Sequence, residues 1–364
     1  MKIPKGFLLS GINCGIKKKN LDLGLIYAQD FFKVKGVFTT NANPSYSVLF
    51  SKRNINKPIK AILVNSGNAN CQSHKNGLKD TARVALELAK CLGVATSNIL
   101  IASTGIIGKK LPKEKIIKNM PKLVRNLSKK TEGFAGSILT TDTFPKVAYA
   151  KVPLGKCEAS VLGFAKGAGM ICPNMATMLA FIITDVDIGS GVLRGVIQEA
   201  IAMSFNSISV DGCMSTNDTV FFISSKKVSL KNKNQIRIFS GQLKKVCLNL
   251  AKKIVKDAEG ASKFIEVEVK GAKTNSQAKK GALAIANSNL FKCALYGANS
   301  NWGRVVSALG QAGIKVKEDI IIKSSELKKK DVKITIDLKK GKSCWSVYTS
   351  DLTPKYIAIN AEHS

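Results

Sequence analysis

The sequence predicts a mixed α/β (α+β) protein, because strand patterns and helix patterns alternate along its length. Residues 61–64 and 178–183 form continuous apolar runs, which are typical of strands buried on both faces. Residues 264–269 alternate apolar and charged side chains, and this pattern indicates a strand with one exposed face. Apolar residues at helical spacing predict amphipathic helices within 76–93, 191–208 and 242–260.

Three stretches in the first third of the chain have weaker patterns. Residues 45–51 are predicted to form a short strand. A strand at 99–102 is expected to end in a turn formed by residues 103–105. Residues 111–127 have a helical pattern, in which Pro121 predicts a kink or a break because proline lacks a backbone donor.

The rest of the chain continues the mixture of strands and helices. Residues 136–146 are predicted to run from a strand into a loop rich in hydroxyl groups. Residues 207–225 are predicted to form a strand, an acidic turn and a second strand. Helical patterns followed by alternating strands at 331–340 and 344–353 predict a smaller C-terminal α+β subdomain from about residue 270 to residue 364.

Composition limits the class of protein. With 364 residues, of which 45% are hydrophobic, the chain is long enough for a large core. It has no apolar run of the roughly 18–20 residues that a membrane span needs, and we expect a cytoplasmic protein. The nine cysteines include no CxxC pair, which predicts reduced thiols. Because the chain has only two histidines, we do not expect a histidine-based triad or metal site.

The formal net charge of +33 raises the possibility of a nucleic-acid binder. The charge is mostly lysine, it is spread along the chain, and its short runs are not interleaved with aromatic residues. Arginine, the usual reader of base edges, is scarce. The pattern therefore favours a basic surface that attracts anions, and no specific nucleic-acid or membrane partner is predicted.

Residues 166–185, KGAGMICPNMATMLAFIITD, join a Gly-rich turn to an apolar strand. Thr177 stands at the junction, immediately before the apolar run 178–183. A hydroxyl at this place is held by a rigid strand and presented by a loop, which suits a nucleophile. The ordinary interpretation of such a threonine is a strand-end residue without a catalytic role.

The same string resembles the self-cleavage segment of the ornithine acetyltransferase (glutamate N-acetyltransferase) family of arginine biosynthesis. In that family the chain cuts itself at the Ala-Thr bond of a KGxGMIxPNMATML motif. Other motifs that resemble this family occur in the same order over nearly the whole chain. They are PKGF at 4–7, VNSGNAN at 64–70, STGIIG at 103–108, TTDTFPK at 140–146, SFNSISVDG at 204–212, STNDT at 215–219, EGASKFIEVEV at 259–269 and NWGR at 301–304.

The resemblance implies a layered sandwich similar to the fold of the related aminopeptidases. It also implies cleavage between Ala176 and Thr177. The products would be an α chain of residues 1–176 and a β chain of residues 177–364. Two α and two β chains are expected to assemble as a heterotetramer.

The resemblance also implies which residues form the site. Thr177 would be the nucleophile, and the Thr104 hydroxyl with the Gly105 N–H would form the oxyanion hole. The substrate-binding residues implied are Thr143, Lys166, Thr177, Glu259, Asn360 and Ser364.

The chain departs from the family pattern at two places. Relatives commonly have Asp and Thr after VDG, where this chain has Cys213 and Met214. The family's tail usually runs further, and we expect Ser364 to replace the small C-terminal residue that contacts substrate in relatives.

The implied chemistry is consistent with these residue types. A threonine hydroxyl needs a base, and cleavage would give Thr177 a free α-amine with a pKa of about 7.7–8. The resemblance implies an acyl-enzyme that moves acetyl from N2-acetylornithine to glutamate, without a metal or nucleotide cofactor. Acetyl-CoA is a possible co-substrate. The alternative is an N-terminal-nucleophile hydrolase or aminopeptidase of related fold, in which water takes the acyl group.

Overall fold

The computed structural model describes residues 1–155, 157–172, 178–187 and 190–362. Strands and helices alternate along this part of the chain, which confirms the mixed α/β prediction. The strands are β1 Phe7–Ile12, β2 Leu23–Phe38, β3 Ile59–Asn68, β4 Ile99–Ile106, β5 Lys146–Pro153, β6 Glu158–Lys166, β7 Leu179–Asp187, β8 Thr219–Ser229, β9 Phe264–Ala272, β10 Ile321–Ser324, β11 Asp331–Asp337 and β12 Ser343–Ser350. The helices are α1 Tyr46–Asn54, α2 Gly77–Leu92, α3 Lys113–Arg125, α4 Glu132–Ser137, α5 Ser190–Met203, α6 Lys233–Lys256, α7 Asn275–Ala286, α8 Asn289–Tyr296, α9 Gly303–Gln311 and α10 Pro354–Glu362.

The chain divides into two compact units. The first unit contains Met1–Gly167, Thr177–Ile201 and Ser215–Leu250. The second unit contains Ala168–Ala176, Ala202–Met214 and Ala251–Ser364. The cleavage products and the subdomain boundary near residue 270 stay predictions.

An eight-stranded sheet forms the first unit, in the order β4-β3-β2-β8-β7-β6-β5, with β1 also paired to β2. The β3–β4 and β7–β8 pairs are parallel. The long strand β2 links the two halves of the sheet, because Leu23 pairs with Asn65 of β3 whereas Phe38 pairs with Thr219 of β8.

Both faces of β3 are covered, which explains its continuous apolar sequence. Ala61 and Leu63 belong to the cluster that contains the buried side chains of α2 and α3. Ile62 and Val64 belong to a second cluster that includes Phe134 of α4 and the inner residues of β6, β7 and β8. The run 178–183 is buried as predicted, within and just before β7.

A four-stranded sheet in the order β10-β11-β9-β12 forms the second unit, together with α7, α8 and α9. The alternation predicted at 264–269 is confirmed, because Ile265, Val267 and Val269 are fully buried. Glu266 and Glu268 lie on the other face and form ion pairs with Lys333 of β11 at 3.4 and 3.2 Å.

Several local predictions were wrong. Residues 45–51 are not a strand but the start of α1, because the Ser45 hydroxyl accepts the Val48 N–H and caps the helix. Residues 103–105 are not a turn, because β4 continues to Ile106 along β3. Helix α3 continues through Pro121 to Arg125, so the helix does not break there. A kink at Pro121 stays a prediction.

Two further strand predictions were wrong. Residues 136–146 contain the end of α4 and a loop, and no strand begins before Lys146. The first strand predicted within 207–225 is absent, and only Ile208 forms an isolated bridge, to Tyr348. Single-residue pairing of this kind leaves no periodic signal in the sequence. No helix among the described ranges is long and apolar enough to cross a bilayer.

Candidate active site

Two of the predicted site residues meet in the first unit. Thr104 lies near the end of β4, and Lys166 is the last residue of β6. Both are buried, with 5% and 4% of their surface exposed. The Lys166 Nζ donates a hydrogen bond to the Thr104 Oγ1 at 3.3 Å. In the β6–β7 register Lys166 pairs with Leu179. Lys166 is therefore held opposite the residue that lies two positions after Thr177 in the sequence.

Gly105 occupies a place that admits no side chain. Its φ of +132° lies in the range that favours glycine. A Cβ atom at this position would lie 2.3 Å from the Gly67 carbonyl carbon and 2.4 Å from the Asn68 nitrogen. The β3–β4 pairing shifts register at these residues, so the two backbones approach closely. The peptide groups of Thr104 and Gly105 are therefore tightly fixed.

Amide side chains stabilise the backbone around Thr104. The Asn217 Nδ2 donates to the Ala69 and Ser103 carbonyl oxygens at 2.6 and 2.7 Å. The Ser103 hydroxyl donates to Asn65 Oδ1 at 2.7 Å. Sequence reasoning did not identify Asn217 as a site residue, although the STNDT motif around it was a signal.

Asp142 was also not predicted, and it connects Thr143 to the end of β6. Its Oδ1 accepts hydrogen bonds from the Lys146 Nζ at 2.6 Å and from the Gly167 N–H at 2.7 Å. The side chains of Asp142 and Lys146 are completely buried. Thr143, the next residue in the chain, is exposed. Asp142 thus holds the exposed Thr143 beside the residue that follows Lys166.

The Asp142 carboxylate is ionised within this buried group. Burial raises its pKa, but the charges of Lys166 and Lys146 outweigh burial and hold the pKa well below its usual range. Two ammonium groups thus face one carboxylate. The surplus positive charge suits an anionic ligand group.

Asp142→Asn is expected to lower the free energy of unfolding by about 3 kcal/mol, because it leaves buried ammonium groups without their counter-charge. Urea unfolding measures the change. Asp30→Asn is the matched control, since Asp30 pairs with Lys227 at 2.6 Å on the solvent-exposed surface. That variant should unfold like the unchanged protein. Equal losses from the two variants would show that the buried pair has no special importance.

In the second unit, Glu259 and Asn360 are brought together. The Asn360 Nδ2 donates to the Glu259 Oε2 at 3.1 Å. The Glu259 N–H donates to the Ala168 carbonyl oxygen at 3.0 Å. A Cβ atom on Gly169 would lie 2.3 Å from Glu259 Oε2, so the second glycine of the KGAG motif makes room for this carboxylate.

Comparison with known proteins assigns the family. The family model described as "ArgJ family" matches residues 8–326. The chain belongs to the ArgJ family. The family prediction is therefore confirmed.

Two curated relatives of the ArgJ family match the chain over its full length. The arginine biosynthesis bifunctional protein ArgJ of Thermotoga neapolitana is 38% identical over 396 residues, covering 100% of each chain. The protein of the same name from Geobacter sulfurreducens is 39% identical, covering 99% of each. A crystal structure of the Bacillus halodurans protein is 32% identical, has a TM-score of 0.45, and covers 48% of this chain and 95% of its own.

Three residues implied by the ArgJ resemblance, Ala176, Thr177 and Ser364, lie outside the described residues. Cys213, one of the predicted departures from the family pattern, is exposed, and its N–H donates to Asp211 Oδ1 at 3.1 Å. Within the described ranges, no group of three or more His, Cys, Asp or Glu side chains is arranged to hold a metal ion.

Proposed function

We propose that this ArgJ family member is a glutamate N-acetyltransferase of arginine biosynthesis, which moves acetyl from N2-acetylornithine to glutamate through Thr177. The names of the full-length relatives support the pathway. One observation carries the site: the Lys166 ammonium contacts the Thr104 hydroxyl beside the strand that follows Thr177 in the sequence.

Self-cleavage at Ala176-Thr177 would supply the nucleophile and its base together. The freed α-amine, with a pKa of about 7.7–8, takes the proton of the Thr177 hydroxyl as that oxygen attacks the acetyl carbonyl. Ornithine leaves, and glutamate then attacks the acetyl ester by the reverse route. The reaction is therefore expected to follow ping-pong kinetics.

Thr104 and Gly105 suit the role of an oxyanion hole. A hydroxyl has one proton to donate and can accept two hydrogen bonds. Because the Thr104 oxygen accepts from Lys166, its own proton remains for a developing oxyanion. Gly105 would contribute a backbone N–H, and its crowded position prevents the reorganisation that weakens such a donor.

Two charged side chains suit the two ends of the substrate. Lys166, in a buried group with surplus positive charge, is proposed to pair the substrate carboxylate, with Thr143 nearby. Glu259, whose carboxylate is held by Asn360, is proposed to accept the ornithine side-chain amine. Ser364 is proposed as the C-terminal contact.

The remaining features of the enzyme are also proposals. The word "bifunctional" in the relatives' names favours acetyl-CoA as a second acetyl donor for glutamate. We propose that no metal or other cofactor takes part, that the cleaved chains form a heterotetramer of two α and two β chains, and that the enzyme works in the cytoplasm.

The reaction is tested by separating the products formed from N-acetylornithine in the presence and absence of glutamate. The proposal predicts that N-acetylglutamate and ornithine appear in equal amounts, and only when glutamate is present. Free acetate and ornithine formed at the same rate without glutamate would instead identify a hydrolase.

Glu259→Ala is expected to lower kcat/KM for N-acetylornithine about ten- to a hundredfold, because a charged hydrogen bond of about 1.5–3 kcal/mol is lost. Most of the defect should lie in KM, and self-cleavage should be unaffected. Glu318→Ala, which removes an exposed carboxylate of the same unit, is the control. Unchanged steady-state kinetics in a fully cleaved Glu259→Ala protein would remove Glu259 from the site.

A further inference from the structure

Asp218 is a buried carboxyl group that the acetyl transfer described above does not use. It belongs to the STNDT motif immediately before β8, and 1% of its surface is exposed. Its Oδ1 accepts the Met178 N–H at 2.9 Å. Its Oδ2 is buried and has no hydrogen-bond partner among the described residues. An orphan buried oxygen of this kind is costly, so it calls for an explanation in function.

The carboxyl group is hydrogen-bonded to the residue that follows the proposed nucleophile in the chain. Strands β7 and β8 run parallel, with Leu179 opposite Thr219, so the residues just before them are neighbours. Met178 and Asp218 are those residues, and their hydrogen bond joins the carboxyl group to the backbone one residue after Thr177 in the sequence.

The self-cleavage step lacks a base if the α-amine is the only one. Before the chain is cut, the Thr177 nitrogen is part of the Ala176-Thr177 peptide bond and cannot accept a proton. Asp142 is a poor candidate, because the ammonium groups of Lys166 and Lys146 hold its pKa low. Among the described residues, Asp218 is the carboxyl group held directly by the residue that follows Thr177.

We propose that Asp218 accepts the proton of the Thr177 hydroxyl during self-cleavage and returns it to the Thr177 nitrogen. This inference depends on the self-cleavage proposed above. The electrostatics agree with it. Burial raises the pKa of Asp218 well above its ordinary value, and the Met178 N–H, the Lys166 charge and the Ser215 backbone lower it by less. A raised pKa makes a carboxylate a stronger base.

The step balances without an added reagent. The Thr177 Oγ forms a bond to the Ala176 carbonyl carbon as its proton moves to Asp218. The carbon–nitrogen bond then breaks, and the proton passes from Asp218 to the departing nitrogen, which leaves an ester and a free amine. Water hydrolyses the ester to the Ala176 carboxylate and the Thr177 hydroxyl.

The test follows self-cleavage of the full-length chain after cell-free synthesis with a short pulse of labelled methionine. Asp218→Asn keeps the shape of the side chain and is expected to slow cleavage about a hundredfold or more, as for loss of a general base. Asp185→Asn is the matched control. Asp185 is also buried in the first unit and accepts the Ser160 N–H at 2.8 Å, but it lies near the other end of β7. That variant should cleave at the normal rate.

Hydroxylamine locates the blocked step, because under mild conditions it splits esters and leaves peptide bonds intact. It should accelerate cleavage of the unchanged chain and leave Asp218→Asn uncut, since that variant is blocked before the ester forms. If Asp218→Asn does not fold, Asp218→Glu is tested in its place. This variant keeps a carboxylate but displaces it, so it should cleave itself slowly. Cleavage of the folded variant at the normal rate, with or without hydroxylamine, would overturn the inference.

Thr177→Ala in the same assay separates this inference from the proposed function. If Thr177→Ala also splits, the proposed nucleophile is wrong. If Thr177→Ala stays intact while Asp218→Asn splits normally, Thr177 keeps its role and only that of Asp218 is refuted.

Discussion

Thr177→Ala is expected to leave a single chain of 364 residues that transfers no acetyl group. The substitution removes the hydroxyl that would attack Ala176, and without cleavage the α-amine that would serve as the base never forms. The effect should therefore be a complete loss of both activities. Gel electrophoresis of the purified protein and an acetyl-transfer assay measure the two losses.

Thr177→Ser is the control for this experiment. Serine keeps a hydroxyl on the same backbone, so the variant should still cleave itself and retain part of the transferase activity. If Thr177→Ala splits at the same bond without added protease, the nucleophile has been assigned to the wrong residue.

Gly105→Ala is expected to reduce kcat/KM by at least about a hundredfold, the effect of losing one oxyanion-hole donor. The added Cβ atom would meet the Gly67 carbonyl carbon at 2.3 Å, and the neighbour is backbone that cannot rotate away. The β4 backbone must then move, together with the Thr104 hydroxyl. A lower melting temperature is also expected, because the substitution disturbs the β3–β4 pairing.

Gly108→Ala separates the clash from simple backbone strain. Gly108 belongs to the same STGIIG motif and also has a positive φ, of +82°, but a Cβ atom there would meet no atom within 4 Å. This variant should lose some stability and keep most of its activity. If the two alanine variants have the same kcat/KM, the close approach at Gly105 is unimportant for catalysis.

The sequence predicted those parts of the fold in which a local pattern reflects burial. The run at 178–183 and the alternation at 264–269 needed no knowledge of distant residues. Residues 45–51 were predicted wrongly as a strand, because a serine cap and tertiary packing favour a helix there. Residues 103–105 were predicted wrongly as a turn, because pairing with β3 extends the strand. When the secondary structure of an element depends on partners that are distant in the sequence, a short stretch of sequence does not predict it.

The candidate site also has residues that the sequence predicted and residues whose role depends on distant partners. Motif resemblance predicted Thr104 and Lys166 as site residues, and the structure places their side chains in contact. Asp142 and Asp218 were missed, because their importance comes from the Gly167 and Met178 N–H groups that they hold across the fold. No sequence spacing predicts that a backbone N–H will donate to a carboxylate 25 or 40 residues away.

The central claim is that Thr177 becomes an N-terminal nucleophile that carries the acetyl group. Intact-mass analysis of the purified protein, acid-quenched after mixing with N-acetylornithine and again after adding glutamate, tests it most directly. We predict the masses of chains 1–176 and 177–364, with one acetyl group gained on the 177–364 chain and removed by glutamate. An uncut chain that catalyses the transfer, or an acetyl group carried by the 1–176 chain, would contradict the claim.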